Sequence, residues 1–159
     1  MSDVESKQGG ARVRVPPPVI FVAAILAGAG LRYVFALRIS APLEWRLVLG
    51  GLLIAGALLL GFSAIGWFRK TGQDPKPWMP SPELILRGPY KYSRNPMYLS
   101  MMVVTAGIGL AMGNGWVMLL AIVALLLVHT LAVLPEEAYL AAKFGAPYLA
   151  YKEKVRRYL

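Results

Sequence analysis

The chain has 159 residues, enough for one domain, and with 57% hydrophobic residues, 16% charged residues and a mean hydropathy of +0.56 it is too apolar for an ordinary soluble domain. The absence of cysteine excludes disulfides and thiolate sites, and a single histidine argues against a histidine-rich centre, so no metal site is predicted. The net charge of +9 comes from basic residues that lie between long apolar runs, which indicates contact with anionic membrane lipids rather than with nucleic acid.

Four apolar runs predict an all-α integral membrane protein with four transmembrane helices. The second run has 22 residues without a charge, and its five glycines allow another helix to approach closely. The third run has only 15 residues, so we expect it to be tilted, partly re-entrant or surrounded by a thinned bilayer. The turn Gly113-Asn114-Gly115 predicts a tight hairpin between the last two runs. The predicted spans are residues 19–37, 47–68, 98–112 and 116–134.

The distribution of positive charge predicts the topology. With four spans both termini lie on one side, and that side collects 14 Lys and Arg residues against three on the other. Because cytoplasmic loops are enriched in basic residues, we expect a multi-pass protein of a bacterial inner membrane with both termini in the cytoplasm. A triple proline before the first run argues against a cleaved signal peptide. The predicted parts are a cytoplasmic N-terminal arm (1–18) and one membrane domain (19–159), which includes an ordered cytoplasmic loop (69–97) and a cytoplasmic tail (135–159).

Two helical stretches are predicted in the tail. The first begins after Pro135 and stops at Gly145, and the second runs from Pro147 to Leu159. Tyrosines recur at helical spacing in the second stretch, while its lysines lie at positions outside that spacing. This pattern is typical of an interfacial helix at the level of the lipid headgroups.

Two polar segments are predicted to meet at the cytoplasmic face. One, residues 87–98, precedes the third span, and the other, Glu136-Glu137, follows the fourth. Because a very short turn joins these two spans, their far ends must lie close together. We therefore expect a cavity walled by Arg94, Asn95, Tyr98 and the two glutamates.

The sequence of these segments resembles a known group of membrane enzymes. GPYKYSRNPMYLS, followed later by PEEAYLAAKFGAPYLAYKEKVRRYL, is similar to the pattern G-P-Y-x-Y-x-R-H-P-x-Y, then E-E, then F-G-x-x-Y-x-x-Y of the isoprenylcysteine carboxyl methyltransferase and phospholipid N-methyltransferase group. The resemblance covers roughly residues 84–159. It implies that S-adenosylmethionine binds in a cytoplasm-facing pocket and that a lipid-like acceptor enters from the bilayer. The implied cofactor-binding residues are Tyr90, Arg94, Asn95, Tyr98, Glu136 and Glu137, and the candidate catalytic residues in the tail are Tyr151 and Arg157.

Asn95 departs from this pattern, in which histidine is the usual residue. An amide donates and accepts hydrogen bonds but does not change its charge near neutral pH. Either Asn95 orients the cofactor or the protein has lost its activity, and we favour the first interpretation. Ala150 and Lys154 also differ from the residues usual in the prenylcysteine enzymes, which argues against prenylcysteine as the substrate.

The chemistry of the cofactor agrees with these residue types. S-adenosylmethionine carries a sulfonium, an ammonium and a carboxylate, which Glu137 and Arg94 can complement. Glu137 shares a helix face with apolar residues and should be buried, so it needs a partner. Methyl transfer needs alignment and exclusion of water rather than a catalytic triad or a metal. A carboxylate acceptor needs only a cation to hold it, whereas an amine must first lose a proton, and the sequence leaves both open.

Simpler interpretations stand beside these. The two glutamates suit the first turn of any helix, and Lys91 and Arg94 suit anchors at a membrane surface. Arg156 and Arg157 suit phosphate anchors, and one of them can instead hold the substrate. His129 in the fourth span is more often a hydrogen-bonded structural residue than a catalytic one. The rival functions are an NADPH-dependent membrane reductase related to the sterol reductases and a non-catalytic lipid-binding protein.

Overall fold

The computed structural model describes residues 10–159, so the first nine residues of the predicted N-terminal arm lie outside it. Across residues 10–159 the fold is helical and contains no β-strand, and an isolated β-bridge joins Arg38 to Asn114. One turn of 3-10 helix at Gly88–Lys91 interrupts the long loop. The helices are α1 (Pro17–Val34), α2 (Leu43–Lys70), α3 (Pro96–Ala111), α4 (Gly115–Val128), α5 (Leu134–Phe144) and α6 (Ala146–Lys154), with a π-helical segment, His129–Val133, between α4 and α5.

Three helices are long and apolar enough to cross a membrane: α1, α2 and the unbroken helix Gly115–Phe144. The apolar helix α3 has 16 residues, or about 24 Å, which is less than a hydrocarbon core of about 30 Å. The prediction of four transmembrane helices is therefore confirmed in part, as three candidate spans and a shorter apolar helix. Helices α2 and α4 flank α3 and bury much of its surface.

The outer surface of the bundle carries many large apolar side chains. Leu26 in α1, Leu59 in α2 and Leu126 in α4 are each more than 60% exposed. Inside the bundle the packed residues are mostly small or β-branched, as at Ala124, Val128 and Ala132. This distribution suits lipid around the bundle, where apolar side chains face hydrocarbon without penalty.

Helices α2 and α3 approach each other closely at two glycines. A Cβ atom at Gly50 would lie 2.8 Å from the carbonyl oxygen of Gly107, and one at Gly107 would lie 2.8 Å from Ile54 Cγ1. Gly61 faces Ser100 in the same way. At the other three glycines of α2, positions 51, 56 and 66, a Cβ atom would meet no other atom within 4 Å. Two of the five glycines, Gly50 and Gly61, therefore make the close helix contact that the sequence allowed.

The predicted hairpin between the last two apolar runs is confirmed. Gly113 adopts a positive φ of 62°, a conformation that glycine tolerates best. The fully buried Asn114 caps α4 by accepting from the Trp116 backbone N–H, and its Nδ2 donates to the carbonyl oxygen of Gly28 at 2.9 Å. The turn is thereby fixed to α1 as well as to α4.

The helix of the fourth predicted span continues beyond Leu134, through Pro135 to Phe144. Proline lacks the N–H of a regular helical turn, and its ring crowds the carbonyl four residues earlier. The π-helical segment provides a wider turn just before it, in which the Leu134 N–H donates to the His129 carbonyl. The first tail helix stops at Gly145 as predicted, with φ 59°.

The second tail helix is shorter than predicted. It ends at Lys154, and Val155 is already extended, so the prediction of a helix to Leu159 is wrong. Residues 155–159, the terminal segment, instead pair with the chain before α3, where Arg94 N–H donates to the Arg156 carbonyl at 3.0 Å. Such long-range contacts override the helical spacing of the tyrosines.

Candidate active site

A pocket opens at the end of the bundle that lies opposite the α3–α4 hairpin. The loop 71–95, the first residues of α3, and helices α5 and α6 enclose it, and its empty space is about 850 Å³ including the part open to solvent. Drug-sized ligands occupy pockets of this order. Seven of the eight predicted site residues line it, namely Tyr90, Arg94, Asn95, Tyr98, Glu136, Glu137 and Tyr151.

The two polar segments meet in this pocket, as the hairpin predicted. Arg94 Nη1, just before α3, lies 3.0 Å from Glu137 Oε1 in α5. The Tyr98 hydroxyl in α3 donates a short hydrogen bond to Glu136 Oε1. Both contacts join residues about forty positions apart in sequence.

Glu137 is buried and surrounded by cations. Arg157 binds it with two hydrogen bonds, from Nε to Oε1 at 2.7 Å and from Nη2 to Oε2 at 2.9 Å. Arg94 is the second cation, and the Lys152 ammonium lies 3.7 Å from Oε2. Because a buried carboxylate requires such compensation, Glu137 has the surroundings of a structural ion-pair centre.

Glu136 has different surroundings. Its hydrogen bond comes from the neutral Tyr98 hydroxyl, and within residues 10–159 no Lys or Arg lies within the 4 Å of a salt bridge. Tyr98 is itself 4% exposed, and Glu136 is half-buried. Glu136 therefore presents an uncompensated carboxylate to the pocket.

Several buried polar atoms at the pocket lack hydrogen-bond partners within the described part of the chain. They are Arg94 Nε and Nη1, the Tyr90 hydroxyl and Gln73 Oε1. The Arg94–Glu137 contact has the distance of an ion pair but not the geometry of a hydrogen bond from Nη1. Unpaired buried polar groups are costly, which is consistent with a polar ligand that supplies their partners.

The two candidate catalytic residues differ in position. Tyr151 lines the pocket, and its hydroxyl donates to the Tyr90 carbonyl at 2.7 Å. Burial raises the pKa of Tyr151 and that of Tyr90 above their ordinary values, so both phenols remain protonated. Arg157 reaches the pocket only through Glu137, whose carboxylate hydrogen bonds raise the pKa of this guanidinium.

Asn95 lines the pocket and is 8% exposed. Its amide Nδ2 donates to the Arg157 carbonyl at 3.1 Å. His129 does not pair with Glu136; its Nδ1 lies 3.0 Å from the Tyr158 hydroxyl.

Sequence reasoning missed several residues of the site. Gln73 and Tyr148 are buried and line the pocket, and Lys152 approaches Glu137. Tyr139 also lines it, and its hydroxyl accepts from the Ser81 N–H at 3.2 Å. Tyr148 is the first tyrosine of the F-G-x-x-Y-x-x-Y pattern, and this is the signal that could have found it. Nothing in the loop sequence distinguishes Gln73, because its position depends on how the loop folds.

Comparison with known proteins supports a family relationship. Residues 45–147 match the family described as phospholipid methyltransferase. An uncharacterized protein of Haemophilus influenzae is 40% identical over 63 residues, which are 40% of this chain and all of that protein. The family match takes in the helices from α2 to α5 and the loop that forms the pocket.

Proposed function

Because the chain belongs to the phospholipid methyltransferase family, we propose that this membrane methyltransferase uses S-adenosylmethionine to methylate an amine of a lipid-like acceptor. The observation that carries the proposal is the contrast between two adjacent carboxylates. Glu137 is neutralised by cations, whereas Glu136 faces the pocket with only a tyrosine hydroxyl.

The residues of the pocket fit the cofactor. Arg94 Nε is a buried donor without a hydrogen-bond partner inside residues 10–159 and suits a carboxylate, whereas Arg94 Nη1 already lies 3.0 Å from Glu137 Oε1. Gln73 Oε1 is an acceptor without a partner in the described part of the chain and suits an ammonium or amino group, and the Tyr90 hydroxyl suits a further polar group. When bound, the cofactor supplies a methyl group activated by a positively charged sulfur.

The choice of an amine follows from the role that Glu136 can perform. An amine acceptor arrives as an ammonium and must lose a proton before its lone pair can attack the methyl carbon. Glu136 can attract this cation and take the proton on a carboxylate oxygen, and Tyr98 holds that carboxylate in place. A carboxylate acceptor would need a cation instead, but Arg157 and Lys152 are already directed to Glu137.

The acceptor class is tested with purified protein, methyl-labelled S-adenosylmethionine and two kinds of vesicle. One kind contains a primary-amine phospholipid, and the other contains a carboxylate amphiphile of the same chain length. We expect label in the amine lipid alone. Label in the carboxylate amphiphile alone would reject the amine, and calorimetric binding of NADPH without binding of S-adenosylhomocysteine would support the reductase.

Glu136→Gln tests the residue itself. We expect the rate of methyl transfer to fall by about 10² or more, since general-base catalysis contributes on this scale. Affinity for S-adenosylhomocysteine, which lacks the sulfonium charge, should change far less. The control is Glu153→Gln, which changes an exposed glutamate of α6 and should keep the wild-type rate. An unchanged rate in Glu136→Gln would remove Glu136 from the mechanism.

A further inference from the structure

The terminal segment is bound to the chain just before α3 by three hydrogen bonds. The Arg94 backbone N–H donates to the Arg156 carbonyl at 3.0 Å. The Arg157 carbonyl accepts from Asn95 Nδ2 at 3.1 Å and from Ser93 Oγ at 3.3 Å. Two consecutive carbonyl groups are thereby held beside the pocket.

Two side chains of the same segment contact the continuous helix Gly115–Phe144. Arg157 binds Glu137 of α5 through two hydrogen bonds, and the Tyr158 hydroxyl lies 3.0 Å from His129 Nδ1. The backbone of Arg157 is thus fixed from one side and its guanidinium from the other. Since Arg157 and Arg94 share one carboxylate, the position of one affects the position of the other.

Asn95 is well placed to hold this arrangement. It is buried, and Pro96 follows it as the first residue of α3, which restricts its backbone. Its backbone N–H donates to Ser93 Oγ at 3.2 Å, so the backbone of Asn95 holds the Ser93 hydroxyl that also binds the Arg157 carbonyl. A neutral amide can donate to a carbonyl at every pH at which the protein is folded.

We propose that Asn95 is a positioning residue, which fixes the backbone of Arg157 so that Arg157 and Arg94 together neutralise Glu137 and Arg94 Nε, which has no hydrogen-bond partner inside residues 10–159, is left for the bound cofactor. This inference rests on the proposed function, because it assigns Arg94 to the cofactor. It also explains why an amide can stand where the related pattern has histidine: the position requires an N–H donor to a main-chain carbonyl, and a titrating group is unnecessary. Asn95 acts here through Arg157 and not by contact with the reacting atoms.

A double-mutant cycle tests the proposal, with affinity for S-adenosylhomocysteine measured by calorimetry in detergent. Asn95→Asp removes the donor and should weaken binding about tenfold, the scale of one net hydrogen bond. Asn95→His retains a donor and should restore most of the affinity. In an Arg157→Ala background, Asn95→Asp should have no further effect beyond about twofold. Independent, multiplying effects of the two substitutions would overturn the proposal.

Mobility of the terminal segment gives a second readout, which does not depend on cofactor binding. The chain has no cysteine, so Leu159→Cys, at a residue 81% exposed, accepts a single spin label. Asn95→Asp should increase the mobility of this label. Tyr92→Phe, a change at an exposed neighbouring residue, is the control and should leave the mobility unchanged. Should Asn95→Asp fail to fold, Ser93→Ala removes the other donor to the same carbonyl and should also increase mobility.

The outcomes separate this inference from the proposed function. Wild-type protein that binds no S-adenosylhomocysteine would contradict the proposed function, and the label would still decide whether Asn95 holds the terminal segment. Unchanged mobility in both variants would overturn the inference even where the cofactor binds.

Discussion

At the level of single residues, the adjacent carboxylates Glu136 and Glu137 have opposite surroundings. Successive positions on a helix point in directions about 100° apart, so Glu136 faces Tyr98 of α3 and Glu137 faces Arg94 and Arg157. We expect Glu137 to serve the stability of the site and Glu136 to serve its chemistry.

The first prediction concerns the stability that Glu137 provides. Glu137→Gln leaves the buried Arg94 and the half-buried Arg157 without their anion. Removing one partner of a buried ion pair is strongly destabilising, so the free energy of unfolding should fall by about 3 kcal/mol. Thermal unfolding in detergent measures the effect, with Glu153→Gln as the matched exposed control. A melting temperature equal to that of the control would show that Glu137 has no such role.

At the level of elements, α3 determines where the pocket forms. It is short and flanked by α2 and α4, and its first residues carry part of the site while its last residues form the hairpin. The close approach of α2 and α3 depends on glycines whose hydrogen atoms face the neighbouring helix. The Gly61–Ser100 contact lies toward the loop after α2, and the Gly50–Gly107 contact lies toward the hairpin end of this helix pair.

The second prediction concerns this contact. Gly107→Ala introduces a methyl group 2.8 Å from Ile54 Cγ1 and 3.0 Å from the Gly50 carbonyl oxygen. Overpacking of this kind is expected to destabilise the protein by about 1–3 kcal/mol. Gly56→Ala is the matched control, because its methyl group meets no atom within 4 Å and alanine has the higher helix propensity. Equal melting temperatures for the two variants would contradict this account of the helix contact.

At the level of the whole molecule, the pocket and the α3–α4 hairpin lie at opposite ends of the bundle. The pocket end carries most of the basic residues and the hairpin end only three. The positive-inside rule therefore predicts that the pocket opens to the cytoplasm.

The third prediction tests this orientation in the cysteine-free chain. Ser40→Cys lies at the hairpin end and Lys91→Cys at the pocket end, and both positions are exposed. In intact cells a membrane-impermeant thiol reagent should label Ser40→Cys, and it should label Lys91→Cys only after the membrane is permeabilised. The reverse pattern would invert the topology, and labelling of both in intact cells would show that the two ends do not lie on opposite sides of a membrane.

Much of the helical arrangement could be predicted from local sequence. Apolar runs located α1, α2 and the start of α4, and Gly113-Asn114-Gly115 located the hairpin, because these signals act over a few neighbouring residues. Helix length was harder to predict. The continuation of α4 through Pro135 depends on a π-helical turn, and the end of α6 at Lys154 depends on hydrogen bonds to residues 93–95.

The membrane character of the chain, the hairpin and the meeting of the Arg94 region with the two glutamates were determined by the sequence itself, since composition and a three-residue turn suffice for them. Tertiary structure alone decided which glutamate is neutralised and which is free. The partners of a carboxylate are set by the directions of side chains on separate helices and by the path of the terminal segment. Neither is encoded in the spacing of residues along the chain, so the assignment of Glu136 to chemistry and of Asn95 to positioning required the folded molecule.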